Sequence, residues 1–467
     1  MADSPLITAE LREYLQRFKI EEIVSKSINT LAHKLPSDPF TFLAGFFSEL
    51  SDEPPSVFDI HSREIFLDSR PSIEVSVSCQ SKGQVFTSPP FVYSPGFEEH
   101  NYTLDSDRLD GKGMRSASRS AEGLKPILFE QDVANQRKID SLITKEEGLG
   151  TNVSVSVSFA CAIAAAFFKK VPLYKHVYEK MTRREWEGGP FPKIMLPLLF
   201  TGKANGSKVK FARWVLYETN SEKHDGQVIM DGSRKIYETL RKILASGKGG
   251  EAGLRVCNSG FIPPSENMAE CFKIVEDTVN QSGFSLGEDF LLAIDCASED
   301  YYLKDVLKYE MEGFKNPPDV AQLTEFYVKL MNDKPYVGMI FDPFVVEDVN
   351  SWKNLAGRIG SKRIGSIKLA KDHERFKSLA EVEDGTDIWL PQLISTHYSH
   401  QITALVDLSK IAAKKGVGII ITEHPAESLD SSFIDLAVGL KAEFIQLSAP
   451  NKSGALAKYN RIIQLKS

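Results

Sequence analysis

Two apolar runs of strand length end on a carboxylate: Leu291 to Ser298, LLAIDCAS, reaches Asp295, and Tyr336 to Phe344, YVGMIFDPF, reaches Asp342. A strand that is apolar on both faces is the pattern of a buried parallel strand, and α/β barrels place their chemistry at the C-terminal tips of such strands. A carboxylate there opens into a site, or, in a plain core strand, caps the next helix. Histidines stand near later runs: His397 and His400 in STHYSH, at i, i+3, and His424 in TEHP. That spacing suits a metal or an acid–base role, and exposed loops carry such histidines as well. Lys368 and Lys371 form a basic pair suited to an anion at a barrel mouth or to ordinary solvated surface.

These tips need a scaffold, and strand–helix alternation from Pro192 to Ile463 supplies about 270 residues of it, the length of a barrel. The whole chain has 467 residues, 42% of them hydrophobic, which exceeds one compact core and predicts two or three domains. Its 56 basic and 63 acidic residues are intermixed and leave a net charge of −7, so no face is built for nucleic acid or an acidic membrane. Small polar molecules or proteins are the expected partners. Five scattered cysteines, Cys79, Cys161, Cys257, Cys271 and Cys296, without CxxC spacing, argue against a disulfide framework or a zinc site and for a reducing compartment. MADSPLITAEL lacks the basic and apolar regions of a signal peptide, and no run approaches the roughly 20 apolar residues of a membrane span. The expectation is a soluble, cytoplasmic chain with no membrane partner.

At the N-terminus, Thr8 can cap a helix bearing Leu11, Tyr14, Leu15 and Phe18, followed by a second phase with Ile20, Ile23, Val24, Ile28, Leu31 and Leu35. LPSDPF stops it, with Asp38 as the next N-cap and Pro39 at the first helical position. The helix that follows carries Phe40, Phe42, Leu43, Phe46, Phe47 and Leu50, too many large apolar side chains for so short a segment to bury alone. Residues 8–50, with YLQRFKIEEIVSKSINTLAHKLPSDPFTFLAGFFSEL from Tyr14 to Leu50, resemble the RIIa-type docking hairpins of the regulatory subunit of cAMP-dependent protein kinase. The resemblance implies a homodimeric four-helix bundle whose apolar groove accepts an amphipathic helix of an anchoring protein. On that resemblance Leu15, Phe18, Ile23, Leu31, Phe40, Leu43, Phe46 and Phe47 are the expected dimerisation and docking residues; the alternative is that the hairpin packs against its own chain. SDEPPS then reads as a short stiff linker.

From Phe58 to Phe86 the pattern is a three-stranded meander, REIFLDSR, IEVSVSCQ and QVF, the last two separated by SKG. A loop with Pro89, Pro90, Pro95 and Gly96 follows, then GKG and a helical stretch, then an alanine-rich helix from Leu149 that Pro172 ends. LGTNVSVSVSFACAIAAAFFKKVPLYKHV, the REIxxDSRxxxEV meander and the GKG turn are similar to enolases, as is the C-terminal half. The resemblance implies an α/β fold: an α+β lid domain over residues 57–190 and a TIM-like β/α barrel over 191–467, preceded by the all-α hairpin of 1–52. It also implies two magnesium ions at the barrel rim, a lysine base and a glutamate pair for making and collapsing an enediolate.

Against that pattern, the first metal ligand matches Asp295. The second, the glutamate before the family's DPF, falls on Phe341, anchored by Asp342, Pro343, Phe344 and Trp352. The third falls near Ser366. Ser94 matches weakly a loop serine that ligates the second metal. The base lands on Pro391 or Gln392, the substrate lysine on Gln446, the two glutamates on Asn258 and Arg213, and the histidine of SHRSGET on Glu423. The base, the acids and two of the three metal carboxylates are gone, while Asp295 and scaffold motifs such as FIDLAVGL and ALAKYNR remain. The pattern is similar to the divergent fourth enolase paralogue of animals, a group associated with sperm flagella. The resemblance therefore implies a non-catalytic scaffold that needs no cofactor, cytoplasmic and associated with an axoneme or flagellum. The alternative is a phosphopyruvate hydratase, a magnesium-dependent glycolytic lyase with relocated ligands.

Overall fold

The computed structural model describes residues 9–50, 54–67, 70–93, 102–219, 225–247, 250–257, 260–371, 373–380, 391–397, 400–423 and 428–466. Three helices open the chain: α1 (Ala9–Arg17), α2 (Ile20–Lys34) and α3 (Pro39–Glu49). Lys19 and Leu35, at either end of α2, take left-handed backbone with φ of 49° and 41°, so the chain turns at each end. Asp38 caps α3 as its position before Pro39 predicts, accepting the N–H groups of Phe40 at 3.0 Å and Thr41 at 3.1 Å. The Thr8 cap lies outside the described residues.

The linker is sewn to the next unit. Val133 N–H donates to the Pro55 carbonyl at 2.8 Å, Val57 N–H to Gln131 at 2.9 Å, and Glu130 N–H to Val57 at 2.9 Å. Strands β1 (Ser56–Leu67), β2 (Arg70–Ser81) and β3 (Gln84–Thr87) form the antiparallel meander, and a fourth strand, β4 (Phe91–Val92), also pairs with β2. Period-two alternation in IEVSVSC puts Ile73, Val75, Val77 and Cys79 on one fully buried face. Helices α4 (Arg115–Gly123), α5 (Lys125–Leu128), α6 (Gln136–Thr144), α7 (Thr151–Phe168) and α8 (Leu173–Thr182) complete the lid. α7 packs on β2. It is long and apolar enough to cross a membrane, but 72% of it is buried, the condition of a core helix.

The remaining strands are β5 (Lys193–Phe200), β6 (Arg213–Glu218), β7 (Arg255–Cys257), β8 (Gly260–Ile262), β9 (Phe290–Asp295), β10 (Tyr302–Leu303), β11 (Lys308–Tyr309), β12 (Val337–Phe341), β13 (Arg363–Ser366), β14 (Leu393–His397), β15 (Gly418–Thr422) and β16 (Phe444–Gln446). Eight of them, β5, β6, β9 and β12 to β16, close into a barrel because β16 pairs with both β15 and β5. β6 runs antiparallel to both of its neighbours, β5 and β9, while the other barrel pairings are parallel. Met195, Val215, Ala293, Met339, Phe341 and Ile420 belong to an apolar cluster that fills the interior.

Lid and barrel are joined by buried polar bonds. Asp140 accepts the Thr403 N–H at 2.9 Å, Ser158 Oγ the Ile402 N–H at 3.0 Å, and Asp430 the Val92 N–H at 3.0 Å. Asp435 accepts the Tyr174 N–H at 3.3 Å and two N–H groups of Arg461 at 2.7 and 2.8 Å. A bidentate Arg137–Asp407 pair lies at the surface of the same boundary.

Candidate functional site

Strand register decides which residues meet at the barrel mouth. In the parallel ladder Phe341 is level with Asp295 on one side and Gly365 on the other. Because β6 runs the opposite way, its first residue, Arg213, stands beside the last residue of β9, Asp295. Arg213 Nε donates to Asp295 Oδ2 at 2.9 Å, and the Ala297 N–H occupies Oδ1 at 3.0 Å. Phe341 is buried. Its ring presses on Gly365 so closely that a Cβ there would lie 2.1 Å from Cε1.

Asp342, the second carboxylate-bearing tip, is turned inward by a left-handed backbone with φ 45°. Ser366 Oγ donates to its Oδ1 at 2.6 Å, and the Ile367 and Lys368 N–H groups reach Oδ2 at 2.9 and 3.4 Å. Asp342 thus caps the chain that leaves β13. Burial, with the Asp295 charge nearby, pushes its carboxyl up to about 6.

Glu423 follows β15 and forms a buried ion pair with Lys458, Oε1 to Nζ at 2.8 Å, while Oε2 accepts the Ser448 N–H at 2.9 Å. Lys458 also donates to the Ser428 carbonyl. Gln446 ends β16 beside Thr422, and its carbonyl accepts the Glu423 N–H at 3.1 Å. Lys458 was missed as a site residue. Its signal is visible in ALAKYNR: it falls in the buried stripe Ala455, Lys458, Tyr459 and Ile462 of helix Ser453–Lys466.

The placement of the base requires correction. Gln392 and Pro391 precede β14, and Gln392 bonds with Ile364 and Gly418 where β13 and β15 begin. They lie at the N-terminal end of the barrel, opposite Asp295. The rim end of β14 is Ser395 to His397, where Ser395 shares a 2.7 Å hydrogen bond with Thr422. The position carried over from the resemblance stands before the strand, whereas β14 runs from Leu393 to His397 and ends on Thr396 and His397.

Lys368 faces Glu299 and Asp300 at 3.6 and 3.9 Å, while Lys371 ends a short helix, Lys368–Lys371. His397 belongs to β14 and His400 comes just before helix Ile402–Lys414. Ser94, Asn258 and His424 lie outside the described residues.

The two magnesium ions implied by the enolase resemblance do not fit the residues present. Magnesium requires several hard oxygens in near-octahedral array. Asp295 already holds a guanidinium and an amide, Phe341 offers a ring, and Ser366 donates its hydroxyl to Asp342. Among the described residues no three of His, Cys, Asp or Glu gather as a ligand set.

An α+β lid bonded to an eight-stranded barrel with an antiparallel second strand defines a lid-and-barrel protein. Residues 190–467 match the family model described as "Enolase, C-terminal TIM barrel domain", and residues 57–177 match "Enolase, N-terminal domain". The chain belongs to the enolase family. It is 28% identical over 429 residues to a protein named Enolase from Methanococcus aeolicus, covering 89% of this chain and 96% of that one. It is 26% identical over 424 residues to a protein of the same name from Methanocaldococcus jannaschii, with the same coverage, 89% and 96%.

Proposed function

We propose that this enolase-family chain is a non-catalytic scaffold that dimerises and docks an amphipathic helix of an anchoring protein through residues 8–50, in the cytoplasm and at an axoneme or flagellum. The carrying observation is Phe341: a ring buried in the barrel's interior cluster stands where the family pattern places a metal-binding carboxylate, and no hard oxygen is available from it. Gln446 and Glu423, at the positions of the substrate lysine and the histidine, remove two more groups from the chemistry.

The docking reading draws on the helices. Leu15, Ile23, Leu31, Leu43 and Phe46 are half-buried, while Phe18, Phe40 and Phe47 remain exposed, Phe40 at 81%. Leu11, Tyr14, Val24 and Ile28 add to the exposed apolar surface.

The enolase-named relatives favour a second reading, a magnesium-dependent phosphopyruvate hydratase. A coupled assay for phosphoenolpyruvate formed from 2-phosphoglycerate in excess magnesium separates the two. No turnover is expected. Activity within about 10⁴-fold of an ordinary enolase, a barrier difference of only about 5.5 kcal/mol, establishes the second reading instead.

A further inference from the structure

We infer that Arg213 is the resident cation of the barrel mouth: its guanidinium balances Asp295 in place of a divalent ion, so the mouth assembles without metal. The inference rests on the reading of the mouth as metal-free.

Two carboxylates are buried side by side at the rim, Asp295 on β9 and Asp342 after β12. Buried negative charge needs either a counter-charge or several donors. Asp342 is served by neutral donors, the Ser366 hydroxyl and the Ile367 and Lys368 amides. Asp295 has the Ala297 amide and one cation, Arg213, at 2.9 Å. Lys368, the neighbouring base, is directed to Glu299 and Asp300.

The reversed direction of β6 makes this arrangement possible. It places residue 213 directly across the ladder from residue 295, the geometry in which opposite charges attract and like charges repel. Arg213 remains 25% exposed on its side chain while Asp295 is 7% exposed, so the pair buries the carboxylate but leaves part of the guanidinium hydrated.

The test is thermal unfolding of the full-length protein with and without millimolar magnesium or manganese chloride. The wild-type midpoint is expected not to move with metal. Arg213→Glu, which sets two carboxylates against each other, is expected to melt lower without metal and to recover with it. The recovery disappears in Arg213→Glu with Asp295→Asn. Should Arg213→Glu fail to fold, Arg213→Lys and Arg213→Gln decide: the lysine variant keeps a midpoint near wild type, and the glutamine variant falls below it. Metal indifference of Arg213→Glu, or a glutamine variant as stable as wild type, overturns the role of Arg213 alone. A wild-type metal response abolished by Asp295→Asn overturns the reading of the mouth itself.

Discussion

Position 341 places a benzyl group in the interior of the barrel, packed on its neighbour across the ladder, Gly365. Gly365 leaves room for the ring, and a methyl there would meet Cε1 at 2.1 Å. Gly365→Ala should therefore cost about 1–3 kcal/mol through overpacking. Phe341→Leu in the same chain should relieve the clash, giving a coupling above about 0.5 kcal/mol in a urea double-mutant cycle. Simple additivity would show that the ring is not pinned. At Glu423 the stake is charge rather than volume. Lys458→Met leaves a carboxylate buried with no cation and is expected to lose about 3–5 kcal/mol, most of it regained when Glu423→Gln is added. Equal losses in the single and double variants would mean that the Lys458 stem, not its charge, supports the helix.

The far end of β6 carries a titrating link between elements. Glu218 accepts the Ile194 N–H of β5 at 3.2 Å, and burial pushes its carboxyl up to about 7, partly opposed by Lys466 and Lys193. Its folded affinity for a proton exceeds the unfolded one. Its contribution is therefore complete below about pH 4.5 and is lost as pH rises through about 7, on the order of 3 kcal/mol in all. Glu218→Gln should flatten the melting profile across that window and raise the midpoint above it; an unchanged slope would assign the pH dependence elsewhere. Elements of this kind differ in how far the sequence reveals them. β12 and β9 are legible because VGMIF and LLAI are apolar on both faces, and the meander because IEVSVSC alternates. The rim of β14 is less legible because the strand ends on polar Ser395, Thr396 and His397. The Arg213–Asp295 pair spans 82 positions and depends on β6 running backwards, a property that composition and periodicity do not encode. Glu423–Lys458 is half legible: Lys458 shares the apolar stripe of its helix with Ala455, Tyr459 and Ile462, while nothing in the sequence pairs it with Glu423.

For the molecule as a whole, the exposed apolar surface of the N-terminal helices is the basis of the proposed dimer. Burying about four large side chains per copy is worth on the order of 6–12 kcal/mol gross from each of the two copies, against a single association cost of about 4–15 kcal/mol. The dimer should therefore form and be sensitive to single changes. Light scattering should report a dimer for the full chain and a monomer after Phe46→Asp or deletion of residues 1–52, with the melting midpoint of the lid and barrel retained. A full-length monomer, or a truncated dimer, would place self-association elsewhere. The way the chain enters the lid at Pro55 and Val57 bears on the proposed docking. Pull applied through α3 reaches the lid at Pro55 and Val57, where three backbone hydrogen bonds, to Val133, Gln131 and Glu130, hold the chain just ahead of a strand of 12 residues paired along β2. The lid in turn is fastened to the barrel through Asp140, Asp430 and Asp435. On the docking reading, load arriving at Pro55 and Val57 would be shared across the boundary between the two domains instead of falling on a single bond.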